Sequence, residues 1–219
     1  MGLNKSGQRT YVTIGFGKIR QKCKPDHPET VERKLQSGDP TYAIEYNSID
    51  GILDNIYFKD DPKYGRSWNL LITSGNENFS VQVKEQTRYA NDLLKCIPNL
   101  HKGKFYTFTP YDFEQNGKKK KGLSIKDEAD ERVENYYQKF TQLEGGKWQI
   151  ENLHGYPSYE GDSKDKDELQ IYFTRVLKFL RNEALQILQQ KESETISENE
   201  PTTEDIPLPN EDHQDDLPF

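Results

Sequence analysis

The chain has 219 residues, of which 32% are hydrophobic and 31% charged, with a formal net charge of −7. So lean an apolar share supports one domain of ordinary size, with part of the chain left unpacked. No apolar run is long enough to span a bilayer and no charged-then-apolar leader stands at the N-terminus, while Cys23 and Cys96 are too few for a disulfide framework. A cytoplasmic setting with no membrane partner is therefore expected.

The net charge hides an asymmetry. From Glu192 to Phe219 there are ten acidic residues and no Lys or Arg, which leaves 27 acidic and 30 basic side chains in residues 1–191. A mildly basic body with an acidic tail suggests a nucleic-acid-binding body and an interaction tail. Thirteen Tyr, ten Phe and two Trp supply flat rings that either fill a core or stack on bases.

Residues 10–24 read as one strand, followed by a Pro-containing loop from Pro25 to Pro40 with a short helix around Glu29–Gln36. A long β-rich run, 43–59, is interrupted by Gly51, as a strand bending around a small barrel requires. Its second half sets Ile56 and Phe58 on one face and Asn55, Tyr57 and Lys59 on the other. A turn at Asp60–Gly65 leads to a second strand, 66–74, and a turn at Gly75–Asn78 to a third, 79–84. Thr87 to Ile97 reads as a helix ended by Pro98, and strands at 104–114 and 121–126 flank a turn with Asn116-Gly117 and four lysines, Lys118 to Lys121. Residues 128–143 look helical, and 145–161 reads as loop with exposed Trp148, Tyr156 and Tyr159. A longer helix over 165–191 carries an apolar stripe through Val176, Leu180 and Ala184, which packs on the barrel, on the preceding segment or on another copy of the chain. From Glu192 onward the composition is that of a disordered segment.

Three strands, a helix and two strands match a mainly β fold, the five-stranded Greek-key barrel of the OB type. The expected division is an N-terminal extension with one added strand (1–42), the OB barrel (43–127), a helical and loop extension packing on it (128–191) and the acidic tail (192–219).

The chain ends Asp215-Asp216-Leu217-Pro218-Phe219. Phe219 can fill an apolar pocket, Pro218 limits the backbone freedom lost on binding, and the aspartates suit a basic rim. This ending resembles the C-terminal tip of bacterial and bacteriophage single-stranded DNA-binding proteins. The resemblance is specific at the tip and one of pattern only across 43–126. It implies sequence-nonspecific binding of single-stranded DNA during replication, recombination and repair, with the tip recruiting partner proteins, in the bacterial host cytoplasm if the chain is phage-encoded. Two departures, the forty residues before the barrel and the helix at 165–191, point to a phage-type member. They leave the family's tetrameric state uncarried and a homo-oligomer open.

A single strand held without sequence reading needs cations along the phosphates and rings under the bases. Candidates on the outward faces and loops are Lys18, Arg20, Tyr57, Lys59, Tyr64, Arg66, Lys84, Tyr111 and Lys118, Lys119, Lys120 and Lys121, with Lys22 beside the first two. Trp68 shares parity with Leu70 and Ile72, so it is either core or, if the strand entrance bulges, a stacking platform. Tyr106 and Phe108 belong to the core by parity.

No catalytic constellation stands out, and Gly145-Gly146-Lys147 lacks the spacing of a phosphate-binding loop, so no enzyme and no cofactor are expected. Cys23, His27, Cys96 and His101 fall in loose pairs that could hold zinc, but such pairs are more often ordinary structural residues. An OB barrel binding protein or RNA as an adaptor is the alternative, with an accessory subunit of a nuclease or recombinase a third reading.

Overall fold

The computed structural model describes residues 9–35, 37–161 and 165–198. Residues 10–24, expected as one strand, form a hairpin of β1 (Arg9–Gly15) and β2 (Lys18–Lys22). Phe16 and Gly17 both take positive φ, 55° and 71°, the two-residue turn geometry that matches the twist of paired strands. Gly17 is also a close approach: a Cβ there would lie 2.6 Å from the backbone nitrogen of Asp112. The stretch expected to hold a helix near 29–36 instead gives β3 (Val31–Lys34), antiparallel to β4 (Pro40–Tyr46). Cross-strand pairing overrides the local helical pattern here, because the Arg33 guanidinium forks onto both carboxylate oxygens of Glu45, at 3.1 and 2.8 Å.

The run 43–59 is divided between β4 and β5 (Ile49–Asp61). Gly51 in β5 crosses close beneath β6 (Gly65–Ser74), where an added Cβ would lie 2.5 Å from the Thr73 carbonyl oxygen. A register shift between Leu53 and Asn55 adds a bulge two residues on, and together these bend the strand. There follow β7 (Glu77–Lys84), α1 (Arg88–Cys96), β8 (Phe105–Gln115) and β9 (Lys118–Asp127).

All nine strands join one mixed sheet in the order β3-β4-β2-β1-β7-β6-β5-β8-β9, with β1 parallel to β7 and the other pairs antiparallel. The sheet curls into a half-barrel, bringing the β1–β2 turn against Tyr111 and Asp112 of β8. The five expected strands, with the helix between third and fourth, are therefore present as β5 to β9. They are five of nine, and the N-terminal region contributes four strands rather than one. The neighbour of β7 on its free side is β1, not β9.

The core lies inside the curl. Val12, Leu70, Val81 and Ile56 share one buried row, and Trp68, Val83 and the partly buried Phe58 share the next. Under them, α1 inserts Tyr89, Ala90, Leu93 and Leu94. Its first turn is capped by Thr87, whose hydroxyl accepts from the Ala90 N–H. The second helix, α2 (Lys166–Glu198), runs past the expected end at 191. It buries Val176, Leu180 and Ala184, and Lys191 Nζ donates to the carbonyls of Ile97, Pro98 and Leu100, groups left over where α1 ends.

Residues 128–143 are not helical. Asp127 accepts from the N–H groups of Ala129 and Glu131, and Asn135 from those of Tyr137 and Gln138. These side chains offer the backbone turns in place of a helix. Then β10 (Gln138–Gln142) pairs with β11 (Trp148–Asn152) as a separate hairpin. What anchors this region is an aromatic cluster: Tyr137, fully buried, packs edge-on to Tyr136 and Phe179, with Tyr156 alongside. Tyr156, expected to be exposed, is buried there, and Tyr159 is half-buried against Tyr172. Trp148 is exposed, as expected.

Candidate nucleic-acid interface

Directly paired residues share a face of a sheet. Tyr57, Asn69, Gln82 and Thr13 form a row across β5, β6, β7 and β1, on the face away from the core. Lys59, Ser67 and Lys84 form the row above it, and Asn55, Leu71, Ser80 and Tyr11 the row below. The floor of this face is small and polar: Ser67, Asn69 and Ser80 are buried among their neighbours, and Asn69 and Gln82 both donate to the Ser67 hydroxyl, at 3.4 and 3.2 Å. Two tyrosines flank it, Tyr57 at 38% and Tyr11 at 74% exposure, on strands three ladder spacings apart, about 14 Å along the sheet. Lys59 and Lys84 stand exposed at its upper rim.

The loop between β5 and β6 is shaped by Asp61, whose Oδ1 accepts from the N–H groups of Lys63 and Tyr64 at 3.0 Å each. Those bonds, the Tyr64 N–H foremost, together with Lys59, hold its carboxyl below the ordinary range. Tyr64 is thereby fixed at the tip, 68% exposed. Lys59 pairs with Asp61 at 3.1 Å and Arg66 with Asp60 at 3.0 Å. Such surface pairs exchange readily for phosphate, since each is worth little.

The lysine run occupies one side of the β8–β9 hairpin. Lys119 and Lys121 lie 3.6 and 3.5 Å from Asp112, and Lys120 donates to Gln115. Lys121 also sits 5.0 Å above the Tyr89 ring, whose hydroxyl accepts from the Gly17 N–H at 2.7 Å. The hairpin is thus braced against α1 and the β1–β2 turn, and Lys118, Lys120 and Lys84 have no ion pair among the described residues. Tyr111 is half-buried, its ring 5.8 Å from Phe113, and burial raises its hydroxyl pKa.

Two expected contacts are buried. Trp68 has no exposed surface; its ring packs 5.1 Å from Phe58 in the core. Parity with Leu70 and Ile72 decided its side, because β6 enters the sheet in regular register beside it. Arg20 is buried in an ion pair, its Nε 3.1 Å from Glu45 and its guanidinium over the Phe16 ring. It continues the Tyr57–Thr13 row as the direct partner of Thr13 and braces β2 on β4. Lys18 donates to Asn47, and Lys22 is exposed. The tip residues Asp215, Asp216, Leu217, Pro218 and Phe219 lie outside the described residues, as does nearly all of the expected disordered tail.

Two rings escaped the sequence reading: Tyr11 and Phe113, the latter 48% exposed. Alternation with Val12 and Ile14 was the available signal for Tyr11, and parity with Tyr111 for Phe113. The described residues hold no group of three or more His, Cys, Asp or Glu side chains able to bind a metal ion. Cys23 contacts the Thr30 hydroxyl, while Cys96 is packed by Val133 and burial pushes its thiol up to about 12. No described helix is long and apolar enough to cross a membrane. Compared with family models, curated proteins and solved structures, the chain matches none.

Proposed function

We propose that this protein binds single-stranded DNA without enzymatic activity, as a phage-type relative of the single-stranded DNA-binding proteins, through an OB-type arrangement of β5 to β9. The observation that carries the reading is the outer face of β5, β6, β7 and β1. A small polar floor lies between two exposed tyrosines, with Lys59 and Lys84 on its rim and Tyr64 and Arg66 beside it. Rings for stacking and cations for phosphates are what sequence-tolerant strand binding needs. The element order and the α1 position agree with the OB pattern. In this proposal β1 lengthens the binding face beyond three strands, and the acidic tip ending in Phe219 recruits replication and recombination proteins.

Fluorescence anisotropy with labelled poly-dT and with duplex of equal length, each at two salt concentrations, tests the reading. Tight, salt-sensitive binding of the single strand over the duplex is the expected result. Failure to bind either leaves the adaptor reading, in which the barrel serves protein contacts.

A further inference from the structure

The β10–β11 hairpin carries an unusual face. Phe140 and Ile150 are direct cross-strand partners and Trp148 occupies the next position on the same side, yet they are 49%, 55% and 61% exposed. Two strands with no layer over them do not normally display three large apolar side chains together. These residues border a cleft of about 1050 Å³ whose opposite wall is α1 and β9, at the upper limit of ligand-binding clefts. Lys95, Arg132 and Lys139 also line it. On its floor Asp92 accepts from the Leu123 N–H at 2.9 Å, which ties α1 to the outer edge of β9.

We infer that this cleft is a second contact for single-stranded DNA, with a base stacked on the Trp148 indole. The inference rests on the function proposed above and extends it to a region outside the five-stranded unit. Two observations select the ligand. Three cations, Lys95, Arg132 and Lys139, outnumber two carboxylates, Asp92 and Glu134, and burial disfavours the charged forms of Asp92 and Lys95 alike, so the lining keeps a net positive charge that suits a polyanion. It is also continuous with the lysine hairpin. Tyr111 lines the cleft and packs on Phe113, and Phe113 is the direct partner of Lys120. Tyr111, Phe140 and Trp148 line one cleft with Lys95, Arg132 and Lys139, so a strand leaving the lysines past Phe113 meets rings and cations together.

The protein carries its own reporter. Of its two tryptophans Trp68 is fully buried, so selectively excited emission that responds to a ligand comes from Trp148. Saturating oligo-dT is expected to quench that emission, and in Trp148→Phe, which keeps a ring, the response disappears while anisotropy still shows binding. Trp148→Ala is expected to weaken oligo-dT binding roughly tenfold, the loss of one stacked base. Binding by anisotropy with unchanged Trp148 emission, or wild-type affinity in Trp148→Ala, overturns the second contact and leaves the sheet face standing as the sole site. Self-association of the full chain that Trp148→Ala abolishes without altering DNA affinity also overturns it, by making the hairpin an interface between copies. Absence of any DNA binding by the wild-type chain removes the proposed function itself, a different result from either of these.

Discussion

The two tryptophans occupy regions of opposite character. Trp68 sits in β6, a central strand with partners on both sides and α1 beneath, and it is wholly buried. Trp148 sits in an isolated two-stranded hairpin and keeps most of its surface. The same side chain is packing material in one place and available surface in the other. What differs is the number of layers around it: a ring in the middle of a curled sheet has its area claimed by folding, whereas a ring on a bare hairpin has it left for binding.

The contrast can be broken most directly by truncating both. Trp68→Ala is expected to destabilise the fold by about 3–5 kcal/mol, whereas Trp148→Ala changes stability by no more than about 0.5 kcal/mol. Urea unfolding midpoints compare them, and similar losses would show the hairpin to be as integral as the barrel wall. Glu45→Gln tests the N-terminal strands in the same terms. It leaves Arg20 buried without its carboxylate, at an expected cost of about 3 kcal/mol. The hydrogen bonds from Arg33, then the charges of Arg33 and Arg20, hold the Glu45 pKa below its ordinary value of 4.5. Its stabilisation is therefore complete above that value and lost as pH falls through the lowered one. Urea midpoints recorded between pH 7 and pH 3 should fall less steeply in Glu45→Gln than in the wild type.

Smaller effects are expected on the outer face. Tyr57→Ala and Tyr11→Ala should each weaken oligo-dT binding by about 1–3 kcal/mol with little change in stability, read by anisotropy alongside the urea midpoint. An effect from Tyr57 alone would confine the site to β5–β7. Smallest in energy at physiological salt are Lys84→Ala and Lys118→Ala. Each is expected to lower the slope of log affinity against log salt by about 0.7, the loss of one phosphate contact with a single strand. Unchanged slopes would remove those lysines from the path of the DNA.

Much of the central region was legible. Alternation around Ile56, Phe58, Leu70 and Val81 gave the correct faces, and Thr87 and Pro98 bounded the helix within a residue or two. The N-terminal forty residues were misread because their strands depend on distant partners: β1 pairs with β7 some seventy residues on, and β3 is held by an Arg33–Glu45 contact that no local pattern announces. The helix expected at 128–143 failed for a related reason. Asp127 and Asn135 supply turns, and burial of Tyr137 against Phe179 of α2 outweighs the helix propensity of the residues between. On the candidate site, Tyr57, Lys59, Tyr64 and Lys84 were placed outward correctly, while Arg20 could not be recognised as a buried ion-pair member without knowing that β4 lies beside β2.

The sequence by itself determined the acidic tail and its Leu-Pro-Phe ending, the division of charge between body and tail, and the strand–helix–strand order from β5 to β9. These depend on composition and on periods of two and 3.6 residues, which local sequence carries in full. Only the tertiary structure decided that nine strands share one curled sheet, that Arg20 is buried against Glu45, and that a cleft lies between α1, β9 and the β10–β11 hairpin. Each of those depends on which distant segments meet, and that choice is made by burial of apolar surface summed over the whole chain rather than by any short stretch of it.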